Sequence, residues 1–308
     1  MISVKNLKKN FGSLCAVNDI SFEVADGELF GFLGPNGAGK TTTLSMISGL
    51  LKPDAGTVYV EDINVWESPK AAKRILGLVP QDVSLYEEFS AKENLNFWGS
   101  LYGVPRSTLK QNIQEILARV GLSDRANEPV SKYSGGMKRR LNLAIGLVHN
   151  PKVVLLDEPT VGIDPQARHN IMEIIREIAR QGTTILFTTH HLDEAETLCE
   201  RIAIMDHGKI LQVGTVDELA RETGDGEIIT VRGEFTPAQF QAAIQGAPVQ
   251  VLSVSDHAAT LTLRNESYGI AQLVHQLAEA GITIADLSLQ KPSLESVFLK
   301  LTGRELRD

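Results

Sequence analysis

Cysteine is scarce in this chain. Cys15 and Cys199 are its two examples, too few and too far apart for a disulfide framework or a metal knuckle, so buried thiols in a reducing cytoplasm are expected. An excess of positive charge is missing as well. Thirty Lys and Arg stand against 38 Asp and Glu, a net charge of −8, which excludes a surface that grips nucleic acid by general electrostatics. No apolar run nears the roughly 20 residues that cross a bilayer. The opening Met1-Ile2-Ser3-Val4-Lys5 lacks the apolar stretch of a secretory signal. These absences predict a cytoplasmic chain. What is there suits a globular protein: 43% hydrophobic and 22% charged residues over 308 positions exclude disorder of the whole chain and suit one large or two domains.

Apolar runs at 29–33, 57–60, 76–79, 153–156, 184–187 and 202–205 read as strands. Their consecutive apolar residues are those of strands buried on both faces. Helical windows such as 109–120 and 167–180 lie between them, the second starting after Asp164-Pro165 and ending before Gly182. The alternation predicts an α/β domain with a mostly parallel sheet over 1–220. Thr223-Gly224-Asp225-Gly226 marks a boundary. Beyond it the order changes to strand 227–232, helix 237–244 with Thr236 as N-cap, strands 249–254 and 259–263, helix 268–280, strand 283–289 and helix 294–301. This is the split βαβ order of a small α+β domain over 221–308. With seven basic and eleven acidic residues, it is no nucleic-acid arm. There is no internal repeat.

Gly34-Pro35-Asn36-Gly37-Ala38-Gly39-Lys40-Thr41 fits G-x-x-x-x-G-K-[ST], between an expected strand and an expected helix. The glycines let backbone N–H groups turn inward around phosphates, and the helix start adds partial positive charge. Lys40 can reach the β- and γ-phosphates, and the Thr41 hydroxyl can ligate Mg²⁺. A dinucleotide G-x-G-x-x-G fails, because Thr42 stands where it needs glycine. The segment predicts a nucleoside triphosphate site with Thr42 at its edge.

Val153-Val154-Leu155-Leu156-Asp157-Glu158 supplies the other half. Asp157 at the strand's C-terminal end can hold Mg²⁺ through water, and Glu158 can orient or deprotonate an attacking water. No N-K-x-D tetrapeptide for guanine occurs.

Tyr133-Ser134-Gly135-Gly136-Met137-Lys138-Arg139-Arg140 precedes a helix and the carboxylate pair. Ser134 and the amides of Gly135 and Gly136 at a helix start form a further anion site. Here the chain resembles the ATP-binding subunit of an ABC transporter, whose signature is usually L-S-G-G-Q. Tyr133 and Met137 depart from that form. The resemblance covers residues 1 to about 219 and implies a P-loop NTPase fold with a helical signature subdomain. It further implies that Gln81 contacts Mg²⁺ and the attacking water, that His190 touches the γ-phosphate, and that Asp164, in Gly162-Ile163-Asp164-Pro165, bridges two subunits. Phe11 resembles the aromatic that stacks on adenine; a core phenylalanine is its rival. His191 should point the opposite way from His190 on an extended chain, toward the surface.

The ending Pro292-Ser293-Leu294-Glu295-Ser296-Val297-Phe298 looks like the accessory domain on ATPases of bacterial drug, lipid and polysaccharide exporters. What the resemblance implies is an ATPase that drives a separate membrane permease from the inner face of the membrane, paired with a copy of itself or a related ATPase. The segment 81–102, with Glu87, Glu88, Phe97 and Trp98, is where a partner's coupling helix would dock, although its aromatics suit a core equally. A soluble ABC ATPase acting on ribosomes or DNA is the alternative. Against it stand the single cassette and the 93 positions from Lys40 to Tyr133, without sustained heptads.

Overall fold

A computed structural model describes residues 1–221, 228–263, 268–290 and 294–302. Its contacts divide the chain into two compact units, Met1–Leu211 and Gln212–Asp308. The glycine-rich segment Thr223–Gly226, and Pro292, Ser293 and Glu227, lie outside the described residues.

The first unit opens with β1 (Ile2–Phe11) and β2 (Leu14–Val24), an antiparallel pair with three register shifts. β3 (Leu29–Leu33) is buried throughout and leads into α1 (Lys40–Ile47). β4 (Ala55–Val60) and β5 (Ile63–Asn64) extend the first sheet in the order β2-β1-β4-β5. The strand expected at 57–60 is thus not buried on both faces. It pairs antiparallel with β1, and half of β4 is exposed, because its Ala-Gly-Thr start gives little to bury.

α2 (Pro69–Ile75) and β6 (Leu76–Val79) return the chain to the second sheet. α3 (Ala91–Leu101), α4 (Arg106–Arg119) and α5 (Gly135–Leu147) form a helical layer. Ser90 and Glu93 close a reciprocal cap at the start of α3. Asn112 on α4 donates to the Val148 carbonyl after α5, 2.8 Å away.

β7 (Val153–Asp157), α6 (Pro165–Arg180), β8 (Thr184–Thr189), α7 (Leu192–Leu198), β9 (Arg201–Asp206) and β10 (Lys209–Gly214) complete the sheet order β10-β9-β3-β8-β7-β6. Its five strands from β9 to β6 run parallel. Every residue of β3, β7 and β8 is buried, as continuous apolar runs require. The parallel order brings the C-terminal ends of β3, β7 and β8 side by side, where open α/β sheets bind ligands. Cys199 is buried, whereas Cys15 on β2 is only partly so. The expectation of two buried thiols therefore fails at Cys15, which lies beside the turn that joins β1 to β2.

In the second unit α8 (Val216–Arg221) precedes β11 (Ile228–Glu234), α9 (Pro237–Ala243), β12 (Val249–Ser255), β13 (Ala258–Leu263), α10 (Ile270–Glu279), β14 (Thr283–Gln290) and α11 (Leu294–Thr302). The sheet is antiparallel in the order β12-β13-β11-β14, the split βαβ arrangement. Thr236 caps α9 in a reciprocal bond with Gln239. Phe235, Phe240, Leu261, Leu273 and Leu277 share one core.

Candidate nucleotide site

The strand end at Leu33 passes into a loop that packs tightly at Gly34 and Gly39. A Cβ at Gly34 would stand 2.2 Å from the Met205 carbonyl oxygen, and one at Gly39, where φ is +108°, 2.5 Å from the Ala16 carbonyl oxygen. Only glycine fits such positions. Gly39 also caps α1 without a side-chain bond, so the first N–H groups of the helix face the loop.

Lys40 is buried and folds back over this loop. Its Nζ donates to the carbonyls of Gly34 at 2.7 Å and Pro35 at 3.2 Å, and pairs with Glu158 Oε1 at 3.1 Å. At the end of β7, with β8 between it and β3, Asp157 Oδ1 accepts from Thr188 Oγ1 at 2.7 Å and from Thr41 Oγ1 at 3.2 Å. Burial pushes the Asp157 carboxyl up, against those two hydroxyls. Glu158 lies one residue past the strand at a positive φ of 44°, outside the pleat, and its Oε2 meets His190 Nδ1 at 3.1 Å. Burial also raises the Glu158 carboxyl, but Lys40 and His190 outweigh it and hold the group below its ordinary value.

Phe11, Asn36 to Thr42, Gln81 and Glu158 line one cleft of about 420 Å³, together with His207 and Gly208. Phe11 is 49% exposed, with Lys9 Nζ 5.8 Å from its ring centre, and is no core side chain. Ser134, Gly135 and Gly136 do not line this cleft. Ser134 is the N-cap of α5, its Oγ accepting from Met137 N, and Gly136 packs against Ala167 of α6. Asp164 likewise caps α6, accepting from Ala167 N at 2.9 Å. His191 departs from expectation. β8 ends at Thr189 and His191 caps α7, so the two imidazoles stand side by side, 4.2 Å between ring centres, with His191 half-buried.

Sequence reasoning gave no role to Arg139. From α5 it donates to the Gln81 carbonyl and, at 3.0 Å, to the Val161 carbonyl, and so ties together the segments carrying Gln81 and Glu158. An Arg is an unremarkable helix residue, and no local pattern gives its partners away. A larger cleft lies elsewhere. About 640 Å³ in volume, it is lined by Leu50, Lys70, Lys73, Arg74, Trp98 and Tyr102, among others. Near it Tyr86, Phe89 and Phe97 are exposed.

A glycine cradle, a buried lysine and a carboxylate pair at the ends of parallel strands define a nucleotide-hydrolysing phosphate-loop protein. The family profile described as ABC transporter matches residues 17–161. Over 312 residues the chain is 39% identical to the linearmycin resistance ATP-binding protein LnrL of Bacillus subtilis, covering all of both chains. It is 40% identical to the Nod factor export ATP-binding protein I of Rhizobium sp. strain N33, over 99% of this chain and 98% of that one. A dimeric ATP-binding cassette solved in a post-hydrolysis state with ADP and Pi superposes with a TM-score of 0.63 at 27% identity, over 70% of this chain and 98% of that one. The chain belongs to the ABC transporter family. It is an ATP-binding subunit that hydrolyses ATP to drive transport.

Proposed function

We propose that this chain powers export through a separate membrane permease, working as a dimer against the inner face of the membrane. The observation that carries this reading is similarity over the full length, accessory unit included, to ATP-binding proteins of resistance and export. An acidic chain without a long apolar helix among its described residues suits a subunit that borrows its membrane path. The 640 Å³ groove, apolar at Trp98 and Leu101 with Lys70, Lys73 and Arg74 on its rim, is the surface we assign to the permease.

In this reading the loop amides and Lys40 hold the β- and γ-phosphates of ATP, with Phe11 against the base. Thr41 and Asp157 present oxygens 3.2 Å apart. Hard oxygen donors of this kind suit Mg²⁺, and a dication offsets the cost of burying Asp157. Those two residues and Gln81 would hold it; when bound it supplies neutralising charge for the phosphate oxygens. Glu158 takes a proton from water, the water oxygen attacks the γ-phosphorus, and the bond to the bridging oxygen breaks to give ADP and phosphate. His190 orients the Glu158 carboxylate. Ser134, Gly135 and Gly136 of a second copy, beside its Asp164 loop, would close over the nucleotide.

Co-expression with the permease and measurement of ATPase activity in membranes with added linearmycin test this reading. Co-purification and stimulated hydrolysis are expected. A chain that stays in the soluble fraction, with activity indifferent to every membrane partner offered, would overturn it.

A further inference from the structure

Glu194 is fully buried on the first turn of α7, and no step above uses it. A carboxylate at 0% exposure is costly unless its oxygens are bonded. Here both are. Oε1 accepts from Thr160 Oγ1 at 2.7 Å and Oε2 from Thr189 Oγ1 at 2.6 Å. Arg168 Nε of α6 stands 3.6 Å from Oε1, an ion pair too long for a hydrogen bond.

The two threonines occupy telling positions. Thr160 is two residues past Glu158, in a turn closed by the Val161 N–H to the Glu158 carbonyl at 3.2 Å. Thr189 immediately precedes His190, and its carbonyl accepts the Gly34 N–H of the phosphate loop at 3.3 Å. Glu194 therefore spans the two segments whose next polar groups, Glu158 and His190, meet at 3.1 Å. Arg168 adds the helix that Asp164 caps.

We propose that Glu194 is a positioning residue for hydrolysis. Its carboxylate clasps Thr160 and Thr189 and thereby sets the separation and orientation of Glu158 and His190. The inference rests on the reading of Glu158 as the base. Both acceptors are required. In Glu194→Gln one oxygen becomes an NH₂ group, and the hydroxyl opposite must turn its proton away. Thr189 Oγ1 already accepts from the His191 N–H at 3.0 Å, so reversing it leaves its own proton without that acceptor. The loop at Glu158, already held at positive φ, is then freer to relax.

The test measures kcat and the Kd for Mg-ATP in the full chain for Glu194→Gln, Thr160→Val, Thr189→Val and the two Thr→Ser variants, with Glu158→Gln alongside. Misplacing a reacting group by about an ångström costs on the order of 100-fold. Glu194→Gln and both Val variants should therefore lose roughly 10- to 100-fold in kcat, with the Kd little changed, and the Ser variants should recover most of the rate. Should Glu194→Gln fail to fold, the Val and Ser pairs carry the comparison with the carboxylate intact. Near-normal kcat in the Val variants, or kcat and Kd worsening together without serine recovery, overturns the clasp while leaving the Glu158 reading standing. Near-normal turnover in Glu158→Gln overturns both.

Discussion

Glu158 Oε2 lies 3.1 Å from His190 Nδ1, while its Oε1 lies 3.1 Å from Lys40 Nζ. One buried carboxylate thus joins the phosphate-loop cation to the histidine at the end of β8. Burial alone would favour the neutral acid, but the two neighbours reverse that direction. The site holds Glu158 ionised at neutral pH.

Replacing Glu158 by Gln keeps the shape and removes the charge. Turnover should fall by at least about 100-fold, the lower range for a general base, while ATP still binds. Lys40→Ala should differ in kind, weakening the equilibrium binding of Mg-ATP itself. Calorimetry of both variants beside steady-state rates separates the two effects. A Glu158→Gln protein with near-normal rate removes that residue from the role.

Ser134 caps a helix outside the cleft of its own chain, so a second copy is expected to complete the site. The Glu158→Gln protein, unable to turn over, should dimerise on adding Mg-ATP, because a ligand that prefers the paired state shifts the equilibrium toward it. Light scattering reads this directly. A monomer at saturating nucleotide would point to a different ATPase as partner.

His149 gives a pH dependence that does not involve the nucleotide. Its ring stacks on Tyr102 at 3.7 Å and bonds the Leu76 carbonyl at 3.2 Å. Burial pulls its pKa from 6.5 down to about 4, more than that bond restores. Below pH 6.5 the unfolded chain takes up a proton that the folded chain refuses. Stability present above pH 6.5 is therefore lost as pH falls toward 4, by up to about 3 kcal/mol. Urea unfolding at pH 7 and pH 4.5 should show a smaller loss in His149→Phe than in the natural chain. Equal losses would show that this imidazole takes up its proton as readily in the folded chain as in the unfolded one.

The described residues that line the cleft all belong to the first unit. We expect it to hold paired chains near one another between cycles, raising their effective concentration. A chain ended after Gly214 keeps β10 in its sheet. It should bind Mg-ATP as before but need a higher protein concentration for half-maximal activity. Superimposable curves of rate against concentration would exclude this role.

Much of this was legible from residue order because the chemistry is local. The run Leu29 to Leu33 and the loop to Thr41 need only near neighbours, as does the strand that ends at Asp157. The second unit was readable for a similar reason, since Thr236 and Pro237 state where α9 begins. The antiparallel β1–β2 pair escaped notice because Lys5, Asn6, Lys8, Lys9 and Asn10 interrupt its apolar residues, and its register shifts break the alternation. Arg139 and Glu194 share another obstacle. Each acquires its role from partners distant in sequence, and spacing says nothing of them.

The cap on α5 has a consequence for encounter between chains. Met137 N–H occupies one lone pair of Ser134 Oγ at 3.3 Å, and the serine is exposed. A free hydroxyl is a rotor, which an arriving anion would have to still. This one accepts from the Met137 N–H as the helix forms, which narrows the orientations left to its hydrogen. A phosphate presented by another chain would meet a hydroxyl whose position the cap already holds, beside the first N–H groups of the helix. Recognition there would lose little orientational entropy, and a neutral group offered to the same spot would gain nothing from the alignment.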